Sequence, residues 1–401
     1  MIRVEEAEQI IRLQQRDFGT ETVSLEKAAG RVLAEVIRAD RDIPPFNRST
    51  MDGIALCFNG YRDGNRRFRI TGTQAAGDPP LEISTPDACI EIMTGAVVPA
   101  STGTVVPYES VQIENGYALV SGVVTSGQNV HQQGQDRRQD SVLVPANQMI
   151  RPAVIAVAAS VGKTALLVRK LPRVVIITTG DELVGADQLP EPYQIRQSNN
   201  YMIRAALQPF GLSPRMLHLP DDLEQVRGAL ADCFNQYEVI LLSGGVSMGK
   251  FDYLPQAFSS LHVQELFHKV QQRPGKPLWF GLHPQGTLVF SFPGNPVATF
   301  LCLLRYFMPW LQGSLGILPP APLFASLEQD FQFSPPLQYF LQVRLTLDHQ
   351  GTMRAMPLAG NGSGDFSNLL DTDAFMELPP ERSHFEKGES YRVWPYQSAF
   401  L

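Results

Sequence analysis

The sequence predicts a multidomain chain of the α/β plus β class, organised around a doubly wound, mostly parallel α/β domain. Three observations lead there. At 401 residues the chain exceeds one ordinary domain. Between Pro172 and Gly316, short apolar runs alternate with helical stretches, the spacing that gives parallel strands covered by helices on both faces. From Arg67 to Pro145, and again from Leu323 to Leu401, the pattern becomes short alternating segments separated by turn residues, which predicts a small β-barrel or sandwich in the first stretch and a second small β domain in the other.

Composition narrows the class further. The chain is 44% hydrophobic and 18% charged, as expected of a soluble globular protein. The longest apolar candidate, 297–304, is far too short to span a membrane. The N-terminal stretch MIRVEEAEQIIRLQQ is acidic and amphipathic, unlike a signal or transit peptide. Cys57, Cys89, Cys233 and Cys302 form no CxxC pair, so zinc and a disulfide framework are not expected and a reducing, cytoplasmic setting is. A net charge of −7 without a basic block argues against nucleic acid as a partner. An anionic substrate would need local cations or a metal ion to overcome that field.

In chain order, residues 1–19 read as an amphipathic helix with Val4, Ala7, Ile10, Ile11 and Leu13 on one face. Ser24 reads as the cap of a short helix, LEKAAGRVL. In DIPPFNRSTMDGIA, Pro44 and Pro45 stiffen the approach to an Asp52-Gly53 turn, which is either an ordinary hairpin or a carboxylate held on a rigid loop. Thr94 and Gly95 fall at a strand-to-loop junction. The polar loop GQNVHQQGQDRRQD carries Gly134, Asp136 and Arg137. His131 lies in the same loop with no Cys or His partner nearby, which reads as a loop residue rather than a ligand. RPAVIAVAASVG, 151–162, reads as a buried helix.

The α/β region holds the densest chemistry. Its strands at 174–178, 239–242 and 288–292 end in TTGDE, SGGVS and FPGNP. Each places glycine at the strand's C-terminal end: Gly180, the Gly244–Gly245 pair, and Gly294. Loops at that edge of a parallel sheet converge on one crevice, and bare glycine N–H groups can approach an anion. Ser243, Ser247, Lys250 and Asp252 add hydroxyls, a cation and a carboxylate. Asp221-Asp222 opens the helix 223–234, where acids complement the helix dipole. The loop HKVQQRPGKPLWFG supplies Lys269, Arg273 and Lys276 beside a Pro-Gly turn, a phosphate clamp in the same unit. GNGSGDFSNL in the last domain is a plain turn or an accessory contact.

Taken together the motifs resemble those of the molybdopterin molybdotransferases, or molybdenum insertases, the family that includes the E domain of gephyrin. The matching stretches are STMDGIA at 49–55, EIMTGAVVP at 91–99, GQD at 134–136, TTGDELV at 178–184, SGGVSMGKFDY at 243–253, PGKP at 274–277, FPGNPVA at 292–298 and GSG at 362–364. They run through nearly the whole chain in the family's order. The resemblance implies an elongated helical region from 1–40 and 137–170, an inserted β domain at 41–136, an α/β molybdopterin-binding domain at 171–316 and a C-terminal β-barrel at 317–401. It also implies a homodimer whose cleft lies between the α/β domain of one subunit and the inserted domain of the other.

The reaction so implied is insertion of molybdate into adenylylated molybdopterin, with Mg²⁺ assisting and AMP released, in molybdenum cofactor biosynthesis. Hand-over of the product to molybdoenzymes or their chaperones would follow. Carried over by motif, Asp52, Asp136, Glu182 and Lys276 would be catalytic. Thr94, Gly180, Ser243, Gly244, Gly245, Ser247, Arg273, Pro293 and Asn295 would bind the substrate, and Asp222 and Asp252 the metal. The chain departs from the family at Gln197, where an aspartate is usual, and at Arg273, where a lysine is usual. Arg48 and Ile54 are unusual beside Asp52. A catalytically weak carrier or scaffold is the alternative these departures leave open, and the motifs do not choose between molybdate and tungstate.

Overall fold

The computed structural model describes residues 1–245 and 253–397. The chain divides into two compact units. The larger comprises Met1–Ala34, Asn147–Arg151 and Ala165–Leu401, the smaller Glu35–Ala146 and Pro152–Thr164.

A six-stranded sheet organises the larger unit. Its strands run in the order Arg215–Leu219, Val174–Thr179, Val239–Ser243, Leu288–Phe292, Trp279–Leu282 and Gln264–His268. The first four are parallel and the last two antiparallel. Val174–Thr179, Val239–Ser243 and Leu288–Phe292 are buried throughout, because helices cover both faces. On one face Val239, Leu241, Phe290 and Phe292 pack with Val4, Ala7 and Ile11 of the Val4–Arg12 helix, with Ile203 and Leu207 of Asn199–Leu207, and with Trp310. On the other, Ile240, Leu242 and Val289 meet Val226, Leu230 and Phe234 of the Leu223–Gln236 helix. Each such side chain contributes roughly 1.5–3 kcal/mol on burial, which is why these strands are continuous apolar runs rather than alternating ones.

The edge strand Gln264–His268 and its neighbour Trp279–Leu282 bracket the segment read from sequence as a loop. A bulge between Glu265 and Phe267 breaks the period of two that would have revealed the first. The N-terminal helix also stops earlier than expected, at Arg12. Leu13, assigned to its buried face, is 74% exposed. Ser24 ends the strand Thr20–Ser24 and precedes a single 3-10 turn, Leu25–Lys27. Its hydroxyl lies 3.4 Å from Glu26 Oε2 and caps no helix.

After the sheet, the helical run from Pro296 to Ser314 contains one π turn, Leu303–Phe307. Arg305 on that turn is 2% exposed. It donates to Glu8 at 2.9 Å, lies 3.7 Å from Glu377, and stands over the Trp394 ring at 4.5 Å. The chain then forms a closed five-stranded barrel. Gln338–Leu347 pairs with Met353–Pro357, that with Leu323–Leu327, then Ser390–Pro395, then Ala374–Leu378, which returns to Gln338–Leu347. Closure leaves these strands without a free edge. A two-residue strand, Gln272–Arg273, joins the start of Gln338–Leu347 in parallel.

The smaller unit is built on one mixed six-stranded sheet rather than a barrel or sandwich. Its order is Gly103–Pro107, Gly53–Cys57, Ala88–Ile92, Arg67–Gln74, Tyr117–Val120 and Val111–Glu114. Only Arg67–Gln74 and Ala88–Ile92 are parallel. Ile54, Leu56 and Val106 pack on one face, Ala55, Ile90 and Val105 on the other. The helix Pro152–Ser160, expected to be buried, buries only Ala158. Small apolar residues on every side gave the sequence no polar face to mark its exposure. Among the described residues no helix is long and apolar enough to cross a membrane.

Candidate functional site

In the larger unit three glycine-ended strands lie side by side. Register pairs Thr178 with Ser243 and Ser243 with Phe292, so the strands end level. The loops beyond them touch. Gly244 N donates to the Phe292 carbonyl at 3.2 Å. A Cβ on Gly244 would lie 3.1 Å from the Thr179 carbonyl, and one on Gly245 would meet Leu254 Cδ1 at 2.4 Å. Both glycines have positive φ, 97° and 70°, and together they meet the two demands glycine alone satisfies, left-handed backbone and close approach. Gly180, with φ of 133°, is covered by the Glu182 side chain, whose Oε2 would be 2.5 Å from a Cβ there.

Asn199 fastens this edge. Its Nδ2 donates to Ser243 Oγ at 2.8 Å and to the Gly294 carbonyl at 2.7 Å, with Thr299 Oγ1 at 3.3 Å. Thr299 in turn donates to the Pro293 carbonyl at 2.5 Å. Asn295 Nδ2 donates to Ser363 Oγ at 2.7 Å, and Val297 N to the Ser363 carbonyl at 3.2 Å. The GSG loop therefore makes an accessory contact rather than a plain turn. Gln197 Oε1 accepts from Asn200 Nδ2 at 2.8 Å, so this position holds the start of the Asn199–Leu207 helix.

Acids gather one strand further along. Asp222 caps the Leu223–Gln236 helix, its Oδ1 accepting from Gln225 N at 2.9 Å. Asp221 N donates to Asp181 Oδ1 at 3.0 Å. Burial pushes the Asp221 carboxyl up, and the Asp181 and Glu182 charges add to the rise. Among the described residues no group of three or more His, Cys, Asp and Glu side chains is arranged around a common metal position. Ser247, Lys250 and Asp252 lie outside the described residues. Lys276 is exposed, three residues before the strand Trp279–Leu282. That strand is antiparallel to Leu288–Phe292, with Trp279 opposite Ser291, so the strand that follows Lys276 begins at the glycine-loop edge. Arg273 leans toward the Phe333 ring, 5.8 Å away.

The smaller unit holds Asp52, Thr94 and Asp136. Asp52 Oδ1 accepts from Thr94 N at 2.6 Å and Thr94 Oγ1 at 2.7 Å. The Thr94 hydroxyl, then its amide, hold the Asp52 carboxyl below the usual carboxylate range. Tyr108 donates to Glu91 Oε1 at 3.1 Å. Burial, then the charges of Glu91 and Asp52, raise its phenol to about 12. Asp136 Oδ1 lies 2.9 Å from His131 Nε2, and His131 Nδ1 lies 3.2 Å from Arg48 Nη2. Sequence reasoning set His131 aside and did not single out Thr299. For His131 the usable signal was a carboxylate five residues away in the same glycine-containing loop, with a cation in a segment that pairs with it.

An α/β sheet with glycine loops at its parallel edge, a closed barrel and a separate mixed-sheet unit define a multidomain protein of the α/β plus β class. Three family models match consecutive parts of the chain: the MoeA N-terminal region, domains I and II, at residues 2–162; a probable molybdopterin binding domain at 175–313; and the MoeA C-terminal region, domain IV, at 325–396. A molybdopterin molybdenumtransferase of Synechocystis is 39% identical over 99% of this chain and all of its own length. One from Bacillus subtilis is 32% identical over 98% of this chain and 93% of its own. A crystal structure of a molybdopterin biosynthesis MoeA protein from Pyrococcus horikoshii superposes with a TM-score of 0.83, 26% identity and coverage of 99% and 100%. The chain belongs to the MoeA family of molybdopterin molybdenumtransferases.

Proposed function

We propose that this protein is a molybdopterin molybdenumtransferase of molybdenum cofactor biosynthesis, inserting molybdate into adenylylated molybdopterin with release of AMP. The observation that carries the reading is the full-length 39% identity to a molybdenumtransferase, joined to a glycine-loop edge suited to phosphate. The N–H groups of Gly180 and Gly245, with Lys276 and Arg273, are the donors for the nucleotide phosphates, and Gly244, whose own N–H is held by the Phe292 carbonyl, gives the turn that lets them approach. Ser243, Pro293 and Asn295 shape the rest of that edge, and Ser247 belongs to the same loop. Asp52, Thr94 and Asp136 of the smaller unit, and Glu182 of the larger, are each assigned a part in orienting reacting groups through hydrogen bonds.

Mg²⁺ suits the acids beside this edge. It takes hard oxygen ligands and binds through one or two carboxylates plus substrate phosphates. Asp222 engages one oxygen as a cap and keeps the other, and the raised Asp221 carboxyl marks a place where positive charge would be welcome. Asp222 and Asp252 would hold the ion, which would neutralise charge on the phosphates. We take the working form to be a cytoplasmic homodimer, which size-exclusion chromatography with light scattering would check.

The test is incubation with adenylylated molybdopterin, molybdate and Mg²⁺, following AMP. Release well above that of an Asp52→Ala variant is expected. Release no greater than that variant's overturns the reading, and tight pterin binding without release would make the protein a carrier instead.

A further inference from the structure

We infer that His131 is a positioning residue that presents Asp136 for the reaction, and that Arg48 fixes the ring tautomer that does so. The inference rests on the proposed role of Asp136 and deepens it. Arg48 and His131 face each other across a short antiparallel pair, Arg48–Ser49 with Val130–His131. The guanidinium only donates, so with Nη2 at 3.2 Å from Nδ1 the Nδ1 atom must offer its lone pair. The ring proton is therefore on Nε2, where it donates to Asp136 Oδ1 at 2.9 Å. Arg48, which only donates, and the Asp136 carboxylate, which only accepts, call for the same tautomer from opposite sides of the ring.

The backbone supports the same geometry. Gly134 N donates to the Pro44 carbonyl and Asp136 N to the Ile43 carbonyl, both at 2.9 Å. Asp42 accepts from Gln139 N at 2.9 Å on the far side of the loop. With Oδ1 taken by the ring, Asp136 keeps Oδ2 for a reacting group, and the carboxylate itself is half exposed. The imidazole also acts as a spacer. Without it, a cation and a carboxylate facing each other on this surface would close into a bidentate pair that engages both oxygens. His131 thus keeps Arg48 and Asp136 connected yet apart.

Two measurements on the full-length protein test this. In ¹⁵N-histidine NMR the native protein is expected to show His131 as the Nε2–H tautomer, retained in Asp136→Ala, where Arg48 alone orients the ring, and lost to a mixture when Arg48→Ala is added. An Nδ1–H ring in the native protein, or a mixture already in Asp136→Ala, overturns the inference. In the AMP-release assay, His131→Ala is expected to lower kcat about tenfold or more with little change in KM, and His131→Gln, which restores a donor near Nε2, to recover most of it. Native turnover in His131→Ala, when Asp136→Asn is inactive, overturns the positioning role alone. Native turnover in Asp136→Asn overturns the assignment of Asp136, and with it this role, while the NMR result still reports on the tautomer.

Discussion

Asn199 donates to Ser243 across 2.8 Å, and the same amide group reaches the Gly294 carbonyl at 2.7 Å. One side chain from a helix N-terminus thereby ties the ends of two parallel strands that are 44 and 95 residues away. Removing it leaves a nearly buried Ser243 hydroxyl and a backbone carbonyl short of a donor. Asn199→Ala is expected to cost about 1–3 kcal/mol in denaturant unfolding, and to weaken adenylylated pterin binding measured by titration calorimetry. Unchanged affinity would show that this tie does not shape the binding edge.

Thr94 sets the charge of Asp52. The folded pKa lies below the ordinary value near 3.9, so the Thr94 bonds stabilise the fold fully above that ordinary value. That contribution is lost as pH falls through the depressed folded pKa. Thr94→Val removes the larger of the two causes. The Asp52 carboxyl, followed by ¹³C NMR, is expected to titrate at higher pH in the variant, and the acid limb of turnover to move up with it. An unmoved titration would mean the amide bond alone suffices.

Two glycine substitutions should part ways. Gly245 combines a φ of 70° with a Cβ path into Leu254 and Thr179, so Gly245→Ala should lose roughly 1–3 kcal/mol through strain and disturb the loop. Gly228 lies within the Leu223–Gln236 helix, and a methyl group added there would meet no atom within 4 Å. Gly228→Ala should gain about 0.5–1 kcal/mol and leave turnover alone. Thermal melts of both, with AMP release, check the contrast.

The Glu8–Arg305–Glu377 cluster should behave as a buried ion set. Arg305 is 2% exposed, and among the described residues its Nε and Nη1 atoms have no hydrogen-bond partner. Glu377 also accepts from Gln338 and Trp394. Glu377→Ala leaves Arg305 with Glu8 alone and the Gln338 and Trp394 donors without their acceptor, and is expected to cost about 1–3 kcal/mol, whereas an apolar Arg305→Met change should cost less than that. Equal losses in urea unfolding would rule out this account.

The parallel core was legible because a strand buried on both faces must be apolar at every position, as Val239 to Leu242 is. A small C-terminal β domain was legible from alternation in FLQVRLTLD and SYRVWPY, while its closing into a barrel came only with the family resemblance. The glycine loops were legible for the same local reason, since a turn at a strand end leaves its mark within a few residues. What escaped was set by distant partners. The strand Gln264–His268 carries a bulge and lies at an edge, so packing did not impose a clean period. His131 looked solitary because its cation, Arg48, is 83 residues away.

The pairing of Gln272 and Arg273 with Gln338 and Tyr339 also carries a consequence in time. A chain emerging from the ribosome presents Arg273 and Lys276 long before the strand that receives their segment exists. Contacts to Ile2 and within the segment itself, such as Val270 N to the Lys276 carbonyl, can form earlier, but the pairing with Gln338 and Tyr339 must wait until residues beyond Tyr339 have been made. The last hold on the cationic loop is thus made near the end of synthesis, after the strands of the parallel sheet are all available.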